Sequence, residues 1–373
     1  MLIGFDGSRA FVSSRTGTEN YSFQLLKALS KIDRVNQYVV YMRPDVKAGE
    51  GWPVNFHFKE IPWPRFWTQG GLALQTFKDK LDVLFVPAHT LPLISKPGLK
   101  TVVTVHDLGS EYLPKTHQLK QRLYLSLMQK YQLKTATKLI AVSKATKQDL
   151  INKVGIKSSK VEVVYEGFDN KLFKPVNNDI LIDSLKSFNL VPKSFFLFVG
   201  TVQPRKNLER VVIAFSRWLL DSGQKQKTND QKLIIVGSKG WLSDDIYKLP
   251  KKLGIEDKVK FLGYVPEKDL PGLYSGAIAL VFPSLFEGFG LPILEAQACG
   301  CPVITSKTSS MPEVAGQGAI LVDPYSIDDI VKGMEQINNQ VTRNKLVKTG
   351  LNNIKRFSWE KAARETLQVL ENL

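Results

Sequence analysis

The chain alternates short apolar segments with longer amphipathic ones, and it does so in two separate series. Apolar segments without polar alternation predict strands that are buried on both faces, as in a parallel sheet covered by helices. In the first series these segments are residues 2–6, 38–42, 83–87, 101–106, 139–142 and 161–165. The helical patterns between them include residues 21–30, 119–134 and 144–153.

The alternation breaks after residue 172 and then starts again. The second series of strand patterns is at residues 195–199, 233–236, 259–262, 279–282, 303–305 and 320–322, with helical patterns such as 208–220 and 292–298 between them. The sequence therefore predicts an α/β protein with two doubly wound, Rossmann-like domains that bind ligands in a cleft at the carboxyl ends of the strands. We expect a first domain over residues 1–172, a linker over 173–194 and a second domain over 195–356. The pattern leaves open which domain contains the last helix, at residues 359–370.

Composition narrows the class of protein further. Apolar residues make up 43% and charged residues 23% of the chain, as in ordinary globular domains. The longest apolar run, residues 277–286, contains Pro283 and is much shorter than the ~20 residues that a membrane span needs. The N-terminus lacks the basic stretch and long apolar core of a signal peptide, so we expect a cytoplasmic protein. Cys299 and Cys301 are too close for an ordinary disulfide, and we expect reduced thiols.

The positive charge is concentrated in one segment. The net charge is +16, and residues 112–148 contain eight basic side chains and no acidic one. An apolar stripe of Leu119, Leu123 and Leu127 predicts a basic amphipathic helix there. Such a helix can rest on an anionic membrane or on a phosphate backbone, but a solvated lysine-rich face explains the same pattern. Both interpretations stay open.

Residues 283–295, Pro-Ser-Leu-Phe-Glu-Gly-Phe-Gly-Leu-Pro-Ile-Leu-Glu, form the most informative motif. A predicted strand ends in a glycine-containing loop, and a helix begins near Pro292, where a missing N–H costs least. Gly288 and Gly290 let the backbone approach a ligand, and the helix N-terminus favours an anion such as a diphosphate. Glu287 can bind polar groups at the loop, while Glu295 can accept hydrogen bonds from vicinal hydroxyls such as those of a ribose. The motif therefore indicates a site for a phosphate flanked by hydroxylated groups.

A second loop supplies positive charge at the same predicted edge of the sheet, where the strands have their carboxyl ends. The strand pattern at residues 195–199 ends at Gly200, and Arg205 and Lys206 follow just before a helix. Two cations at the carboxyl end of a strand would neutralise the charge that develops on a leaving diphosphate.

Together these motifs resemble those of glycosyltransferase family 4, the retaining sugar-nucleotide enzymes of the GT-B fold. Glu287 and Glu295 match that family's E-x(7)-E signature, and Arg205 and Lys206 match its pair of cations. The resemblance runs nearly end to end, through residues 103–107 (Val-Thr-Val-His-Asp), 141–144 (Ala-Val-Ser-Lys), 163–169 (Val-Val-Tyr-Glu-Gly-Phe-Asp), 261–266 (Phe-Leu-Gly-Tyr-Val-Pro) and 357–360 (Phe-Ser-Trp-Glu). It implies two Rossmann-like domains facing across a cleft, with residues 357–373 crossing back to the first, acceptor-side domain.

The resemblance also implies a role for each matching residue. Arg205 and Lys206 stabilise the departing phosphate, and Glu287 contacts the hydroxyls of the donor sugar. Glu295 binds the ribose, and His106 faces the donor sugar, although a core histidine bonded to the neighbouring aspartate or to backbone explains the same residue. The other implied donor-binding residues are Gly17 and Thr18 in the first loop, Gly200, Gly237, Tyr264 and Val265 near the nucleotide, and Gly288, Phe289, Gly290 and Leu291 at the sugar and diphosphate.

Two positions depart from the commoner pattern of that family. Thr16-Gly17-Thr18 stands where many members have a Gly-Gly pair, which affects the acceptor side. Thr201 stands where many members carry arginine, which leaves Arg205 to compensate for one phosphate contact.

The implied reaction is retaining transfer of a hexose from a nucleotide sugar to a hydroxyl of a glycan or lipid-linked glycan. Residues 16–21, 87–92 and 106–109 look most like bacterial mannosyltransferases of polysaccharide assembly, so GDP-mannose is the first choice of donor. UDP-glucose or another UDP-hexose is the alternative, and a deoxysugar donor is third. No Asp-x-Asp triplet occurs, so we expect no metal and no cofactor. If the acceptor is carried by a membrane, we expect residues 115–147 to bind the anionic surface of that membrane.

Other classes of protein share parts of this pattern. A phosphorylase of the same fold would need a much longer chain with a pyridoxal-phosphate lysine, and an epimerase would not carry this pair of glutamates. A basic nucleic-acid-binding protein has the charge in its favour but lacks a docking motif and interleaved surface aromatics. Steeply salt-dependent DNA affinity without sugar-nucleotide binding would favour it.

Overall fold

The computed structural model describes residues 1–12, 15, 17–44, 46–63, 65–88, 90–108, 130–223 and 230–373. The chain divides into two compact units. Unit 1 consists of Met1–Gly167 together with Phe357–Leu373, and unit 2 consists of Phe168–Arg356. Within the described residues, every helix is too short or too polar to span a bilayer.

Unit 1 is built on a parallel sheet. Its strands are β1 (Leu2–Asp6), β2 (Gln37–Met42), β3 (Phe56–Glu60), β4 (Val83–Val86), β5 (Lys100–Val105), β6 (Lys138–Ala141) and β7 (Val161–Val163). Their order across the sheet is β3-β2-β1-β4-β5-β6-β7. Its helices include α1 (Gly17–Ile32), α2 (Ala73–Lys78) after a π-helical turn at Trp67–Leu72, and α3 (Lys144–Asp149), which continues as a π-helical turn at Leu150–Val154.

Unit 2 repeats this architecture. Its strands are β8 (Phe195–Val199), β9 (Lys232–Val236), β10 (Val259–Gly263), β11 (Leu280–Phe282), β12 (Val303–Ser306) and β13 (Ala319–Val322), in the order β10-β9-β8-β11-β12-β13. The helices are α4 (Asn178–Lys186), α5 (Leu208–Gly223), α6 (Asp244–Lys252), α7 (Leu270–Gly276), α8 (Leu291–Ala298), α9 (Met311–Ala315), α10 (Ile327–Gln336) and α11 (Gln340–Asn353). Short 3₁₀ turns lie at Pro204–Lys206, Glu267–Asp269 and Ile354–Arg356.

The last helix, α12 (Trp359–Glu371), packs against α1 in unit 1. The Ser358 hydroxyl caps it by accepting from the Lys361 N–H at 3.1 Å. The ring centroids of Trp359 and Tyr21 lie 5.8 Å apart, and a Cβ on Gly167 would overlap the Trp359 backbone. The chain therefore returns to the first sheet at its end, which the pattern of the sequence alone had left open.

The strand order in both sheets reverses at one place. The reversal lies between β1 and β4 in unit 1 and between β8 and β11 in unit 2. At such a reversal, the loops that follow the two neighbouring strands run to opposite faces of the sheet. Open α/β sheets bind ligands in the space between these two loops. This fold places a candidate binding position at the carboxyl edge of each sheet.

The predicted α/β fold is confirmed, and three segments add detail. Strand β3 was not predicted, because its half-exposed edge sequence Phe-His-Phe-Lys-Glu alternates instead of forming a buried apolar run. Residues 173–194, expected as a linker, contain α4, which packs against α7 within unit 2. Of the predicted basic helix, residues 119–129 lie outside the described residues, and residues 130–135 are helical.

Candidate active site

The loops after β8 and β11 lie side by side at the carboxyl edge of the sheet in unit 2. The two strands are neighbours, and the Leu285 N–H donates to the Arg205 carbonyl oxygen at 2.9 Å. Both loops were selected from the sequence as phosphate-binding segments, and they flank the point where the strand order reverses. Residues 200–207 and 283–290 therefore form the candidate active site.

Glu287 forms a buried ion triad with Arg205 and Lys206. Lys206 Nζ lies 2.6 Å from Glu287 Oε1, and the Arg205 guanidinium lies 2.8 Å from Oε2. Burial acts to raise the pKa of the Glu287 carboxyl, but the charges of Lys206 and Arg205 outweigh it and lower the pKa below its usual value. Glu287 is therefore an ionised carboxylate between two cations, and this group, the Glu287 triad, keeps a net positive charge.

Further contacts fix the two cations of the Glu287 triad. Lys206 Nζ lies 4.9 Å from the centroid of the Phe282 ring, at the end of β11. Arg205 also donates to the Phe286 carbonyl oxygen at 3.1 Å. The Lys206 side chain is 10% exposed, so its charge is held close to the protein surface without being fully solvated. Such a position strengthens its electrostatic effect on a bound anion.

Hydroxyl groups from the segment after β12 hold the backbone of the Glu287 loop. The Ser310 hydroxyl lies 2.9 Å from the Glu287 carbonyl oxygen and 2.7 Å from that of Phe289. The Ser309 hydroxyl donates to the Glu287 carbonyl oxygen at 2.6 Å. The sequence analysis did not identify these serines, although the hydroxyl-rich run Thr-Ser-Lys-Thr-Ser-Ser at residues 305–310 begins at the end of β12, which neighbours β11.

Asn207 joins the two loops from the other side. Its backbone has φ 63°, in the left-handed region that asparagine tolerates. Its side-chain amide donates to the carbonyl oxygens of Pro283, at 2.9 Å, and Pro324, at 2.7 Å. Because Asn207 is 2% exposed, these bonds are shielded from water and tie the end of the cationic loop to the start of the Glu287 loop.

The Glu287 loop ends at Gly290, and α8 begins at Leu291. Gly290 has φ 110°, which only glycine adopts readily. Pro292 lies in the first turn of the helix, as its sequence position predicted. The N-terminus of α8 thus contains the residues predicted to bind the sugar and diphosphate, namely Gly288, Phe289, Gly290 and Leu291. The first backbone N–H groups of a helix have no partner within that helix.

Glu295 lies within α8 and pairs with a tyrosine. The Tyr274 hydroxyl, from α7, donates to Glu295 Oε2 at 2.7 Å. Burial raises the pKa of the Glu295 carboxyl to about 7; the Tyr274 hydrogen bond opposes this shift, and the charge of Glu267 adds to it. Glu295 therefore changes its charge near neutral pH.

The predicted nucleotide-side residues follow three adjacent strands at one sheet edge. Gly200, Gly237 and Tyr264 come directly after β8, β9 and β10, respectively. A Cβ on Gly237 would overlap the Gly200 carbonyl oxygen, so the two backbones need glycine to approach each other. Tyr264 is 72% exposed, whereas Val265 is buried. Tyr264 thus presents an aromatic surface at the same edge.

His106 lies in unit 1, at the carboxyl end of β5. Its Nδ1 lies 3.2 Å from Glu166 Oε1, and its Nε2 lies 2.9 Å from the Pro87 carbonyl oxygen. Burial acts to lower the pKa of His106, but the contacts with Glu166, the Pro87 carbonyl and the nearby charge of Asp107 raise it above its usual value. His106 therefore has protein acceptors at both ring nitrogens, among them Glu166, which the sequence analysis did not select.

The remaining predicted residues, Gly17 and Thr18, open helix α1 in unit 1. Thr18 accepts a hydrogen bond from the Ser22 hydroxyl at its carbonyl oxygen, at 2.9 Å. The structure thus gathers Arg205, Lys206 and Glu287 into one ion triad in unit 2. It assigns His106, Gly17 and Thr18 to unit 1.

Two family models match the chain over most of its length. The model described as Glycosyltransferase Family 4 matches residues 15–172, and the model described as Glycosyl transferases group 1 matches residues 183–353. The fold and the family models together define a glycosyltransferase of the GT-B type. The chain belongs to glycosyltransferase family 4, as its motifs predicted. These matches do not favour the nucleic-acid-binding alternative.

Two of the curated relatives are bacterial O-antigen mannosyltransferases. The chain is 29% identical over 275 residues to O-antigen chain mannosyltransferase B of Escherichia coli, a match that covers 74% of this chain and 71% of the relative. It is 30% identical over 258 residues to O-antigen chain mannosyltransferase RfbU of Salmonella typhimurium, covering 68% of this chain and 65% of the relative.

Solved structures share the fold at low sequence identity. Sucrose-phosphate synthase from Thermosynechococcus elongatus has a TM-score of 0.77 at 21% identity, covering 100% of this chain and 98% of that one. The glycosyltransferase WaaG of lipopolysaccharide biosynthesis has a TM-score of 0.73 at 15% identity, covering 99% of both chains. HepE of Anabaena, in complex with UDP and glucose, has a TM-score of 0.74 at 18% identity, covering 100% of this chain and 99% of that one.

Proposed function

We propose that this glycosyltransferase moves a hexose from a nucleotide sugar to a hydroxyl of a glycan or lipid-linked glycan, with retention at the anomeric carbon. The observation that carries the proposal is the Glu287 triad, which places two cations and a carboxylate beside the N-terminus of α8. This combination suits a ligand that has both an anionic diphosphate and a hydroxylated sugar.

The diphosphate would bind Arg205 and Lys206 in addition to Glu287. In the structure both cations pair with one carboxylate, so the Glu287 triad attracts an anion while its own buried charges stay compensated. As the bond to the sugar breaks, negative charge grows on the leaving diphosphate, and the two cations stabilise it there. Glu287, kept ionised by the same neighbours, would accept hydrogen bonds from the sugar hydroxyls.

In this proposal the anomeric configuration is retained because the acceptor attacks from the same face that the diphosphate leaves, a front-face displacement. The leaving phosphate oxygen would take the proton of the acceptor hydroxyl, so the reaction needs no enzymic nucleophile at the anomeric carbon. Lys206, Arg205 and the amides at residues 288–291 would supply the electrostatic stabilisation that a divalent cation provides in other enzymes. His106 would contribute from unit 1 as a residue that faces the donor sugar.

Mannose from GDP-mannose is the first candidate donor. The names of the relatives from Escherichia coli and Salmonella typhimurium, both mannosyltransferases, support it. A UDP-hexose is the alternative, and the complex of HepE with UDP and glucose supports that choice.

A donor panel tests the proposal. Binding of GDP, UDP, dTDP and ADP, each with and without its sugar, is measured by thermal shift and calorimetry, since a ligand of the folded state raises the melting temperature. We expect one base to be preferred, and the anomeric configuration of the product, read by NMR, to match that of the donor. Binding of none of these nucleotides, or an inverted product, would overturn the proposal. Full activity in EDTA is expected.

The acceptor would be reached at a membrane surface through the basic segment 115–147. Charge reversal of Lys120, Arg122 and Lys130 should reduce sedimentation with vesicles containing anionic lipid and should spare transfer to a soluble acceptor. The charge of the segment supports this proposal. Vesicle binding that is unaltered by the three changes would contradict it.

A further inference from the structure

Unit 1 exposes a group of large apolar side chains around helix α2. Each of them leaves between 40% and 78% of its surface in contact with water. The group, which we call the α2 surface, consists of Trp63, Phe66, Leu74, Phe77, Leu93 and Ile94. A single exposed apolar residue is ordinary, but several in one place mark an interaction surface.

The helical segment 66–78 holds the first four of these residues together. The Trp63 ring packs on Gly70, because a Cβ at that glycine would overlap the ring. Leu74 and Phe77 are three residues apart, so they lie on one face of α2. Phe66 immediately precedes the π-helical turn that leads into α2.

Residues 91–96 run beside the same helical segment. The Leu93 N–H donates to Gln69 Oε1 at 2.8 Å, and the Lys96 N–H donates to Thr76 Oγ1 at 3.0 Å. These bonds fix the backbone on which Leu93 and Ile94 are exposed. The apolar side chains therefore belong to one structured region of unit 1.

The backbone of Phe66 is in an unfavourable conformation. Its φ is 53°, in the left-handed region that bulky side chains rarely adopt. Because most of Phe66 is exposed, burial of its ring offsets little of this cost. Strain that presents an aromatic side chain to the solvent points to a binding role for that side chain.

Lysines border the α2 surface. Lys78 and Lys80 follow Phe77, and Lys96 is bonded to α2; all three are exposed, and none forms an ion pair with another described residue. The acidic side chains between them in the sequence already have partners. Asp79 lies 2.7 Å from Lys59 Nζ, and Asp82 accepts from the Leu2 N–H at 2.6 Å. The border of the α2 surface is therefore positively charged.

The α2 surface also adjoins the described end of the basic segment. The Leu91 carbonyl oxygen accepts from Gln69 Nε2 at 3.0 Å and from Gln132 Nε2 at 2.9 Å. Gln132 is buried and belongs to the helical residues 130–135. One carbonyl group thus connects the helical segment of the α2 surface to the segment that the sequence marks as basic.

We propose that the α2 surface inserts into the headgroup region of a bilayer that contains anionic lipid. Apolar and aromatic side chains enter the boundary between headgroups and acyl chains, and lysines beside them pair with lipid phosphates. The proposal rests on the proposed transfer to a membrane-borne acceptor, and it adds an apolar contact to the electrostatic one of residues 115–147. A second copy of the chain is a poorer occupant, because a symmetric pair would bring the lysines of both copies together.

The first test separates the apolar contact from the electrostatic one. Sedimentation with vesicles of phosphatidylcholine and phosphatidylglycerol is measured at low and at high salt. Salt screens the lysines but not the apolar side chains, so high salt should weaken binding without abolishing it. Binding that disappears at high salt, or no binding at low salt, would overturn the proposal.

The second test combines Phe66→Asn with Phe77→Ser. Asparagine tolerates the left-handed backbone at position 66, and both side chains are exposed, so the melting temperature should not fall. Loss of two inserted rings should weaken vesicle binding about 10- to 100-fold at both salt concentrations. The matched control, Leu220→Ser with Val341→Ser, removes two exposed apolar side chains from unit 2 and should bind like the wild-type protein.

Light scattering and nucleotide binding complete the experiment. Wild-type affinity for vesicles in the Phe66→Asn, Phe77→Ser protein would overturn the proposal. A wild-type dimer that these two changes convert into a monomer would also overturn it, since the occupant would then be a second copy. Failure of the wild-type protein to bind any nucleotide would count against the proposed reaction, and the vesicle measurements would still decide the role of the α2 surface.

Discussion

His106 and Glu166 form a buried pair in which imidazole Nδ1 lies 3.2 Å from carboxylate Oε1. The other ring nitrogen, Nε2, lies 2.9 Å from the carbonyl oxygen of Pro87. A carbonyl oxygen and a carboxylate both accept, so each ring nitrogen of His106 has to donate. The geometry therefore favours the imidazolium form of His106, with Glu166 as the balancing charge. In this form His106 is a positive group and has no free nitrogen lone pair with which to act as a general base.

The charge of His106 can be measured directly. In an NMR titration, His106 should lose its proton at a higher pH than an ordinary histidine, and Glu166→Gln should move this loss to lower pH. Because the pKa is raised by folding, the pair stabilises the protein fully at pH values below the ordinary pKa of histidine and loses this contribution as the pH rises through the folded-state pKa. A His106 that titrates below ordinary histidine would contradict the assignment.

Lys206→Ala should lower turnover about 10²- to 10³-fold, since it removes one of the two groups proposed to stabilise the leaving diphosphate. It also leaves Glu287 with Arg205 as its remaining cationic partner within the Glu287 triad, so the pKa of Glu287 should rise. Turnover is measured at saturating donor, and Lys252→Ala, an exposed lysine of α6, serves as the control. Equal turnover in both variants would place the phosphate site elsewhere.

Much of the fold was predictable from the sequence because the strands are continuous apolar runs. Val102, Val103 and Val105 are fully buried in β5, and Phe195 through Phe198 are fully buried in β8. Such runs identify strands without knowledge of their neighbours. Strand β3 was not predicted because His57 and Lys59 interrupt its apolar pattern at the sheet edge.

The loops of the candidate site were also predictable, but their contacts were not. Glycines and charges at strand ends select residues 200–207 and 283–290 from local sequence. The pairing of Lys206 with Glu287 joins residues 81 positions apart, and it depends on β8 and β11 being neighbours. The same holds for His106 and Glu166, 60 positions apart, because their contact depends on where the loop after β7 folds. A local sequence pattern does not predict such long-range pairings.

We expect Glu295 to give donor binding a pH dependence. Its carboxyl has a pKa of about 7, so it changes from mostly neutral to mostly ionised between pH 6 and pH 8. If it binds ribose hydroxyls as a carboxylate, affinity for the nucleotide should increase across this range. Calorimetric titration at several pH values measures this effect, and Glu295→Gln should bind the nucleotide weakly with a flat profile.

Tyr274→Phe tests whether the pH dependence of nucleotide binding comes from Glu295. The Tyr274 hydroxyl lowers the pKa of Glu295, so its removal should shift the affinity profile of the nucleotide to higher pH without abolishing binding. An unshifted profile in this variant, or a flat profile in the wild-type protein, would remove Glu295 from the nucleotide site.

Ser310→Ala tests whether the shape of the Glu287 loop matters for the reaction. The Ser310 hydroxyl is buried and lies within hydrogen-bonding distance of the carbonyl oxygens of Glu287 and Phe289, so its loss should lower the free energy of unfolding by about 1–3 kcal/mol. A loop displaced by a fraction of an ångström misplaces the Glu287 carboxylate and the N–H groups before α8, and turnover should fall by up to about 100-fold. Ser187→Ala, which removes an exposed hydroxyl in the same unit, should leave both quantities unchanged. If Ser310→Ala loses stability while turnover at saturating donor stays at the wild-type value, the hydroxyl supports the fold alone and the loop needs no such fixing for catalysis.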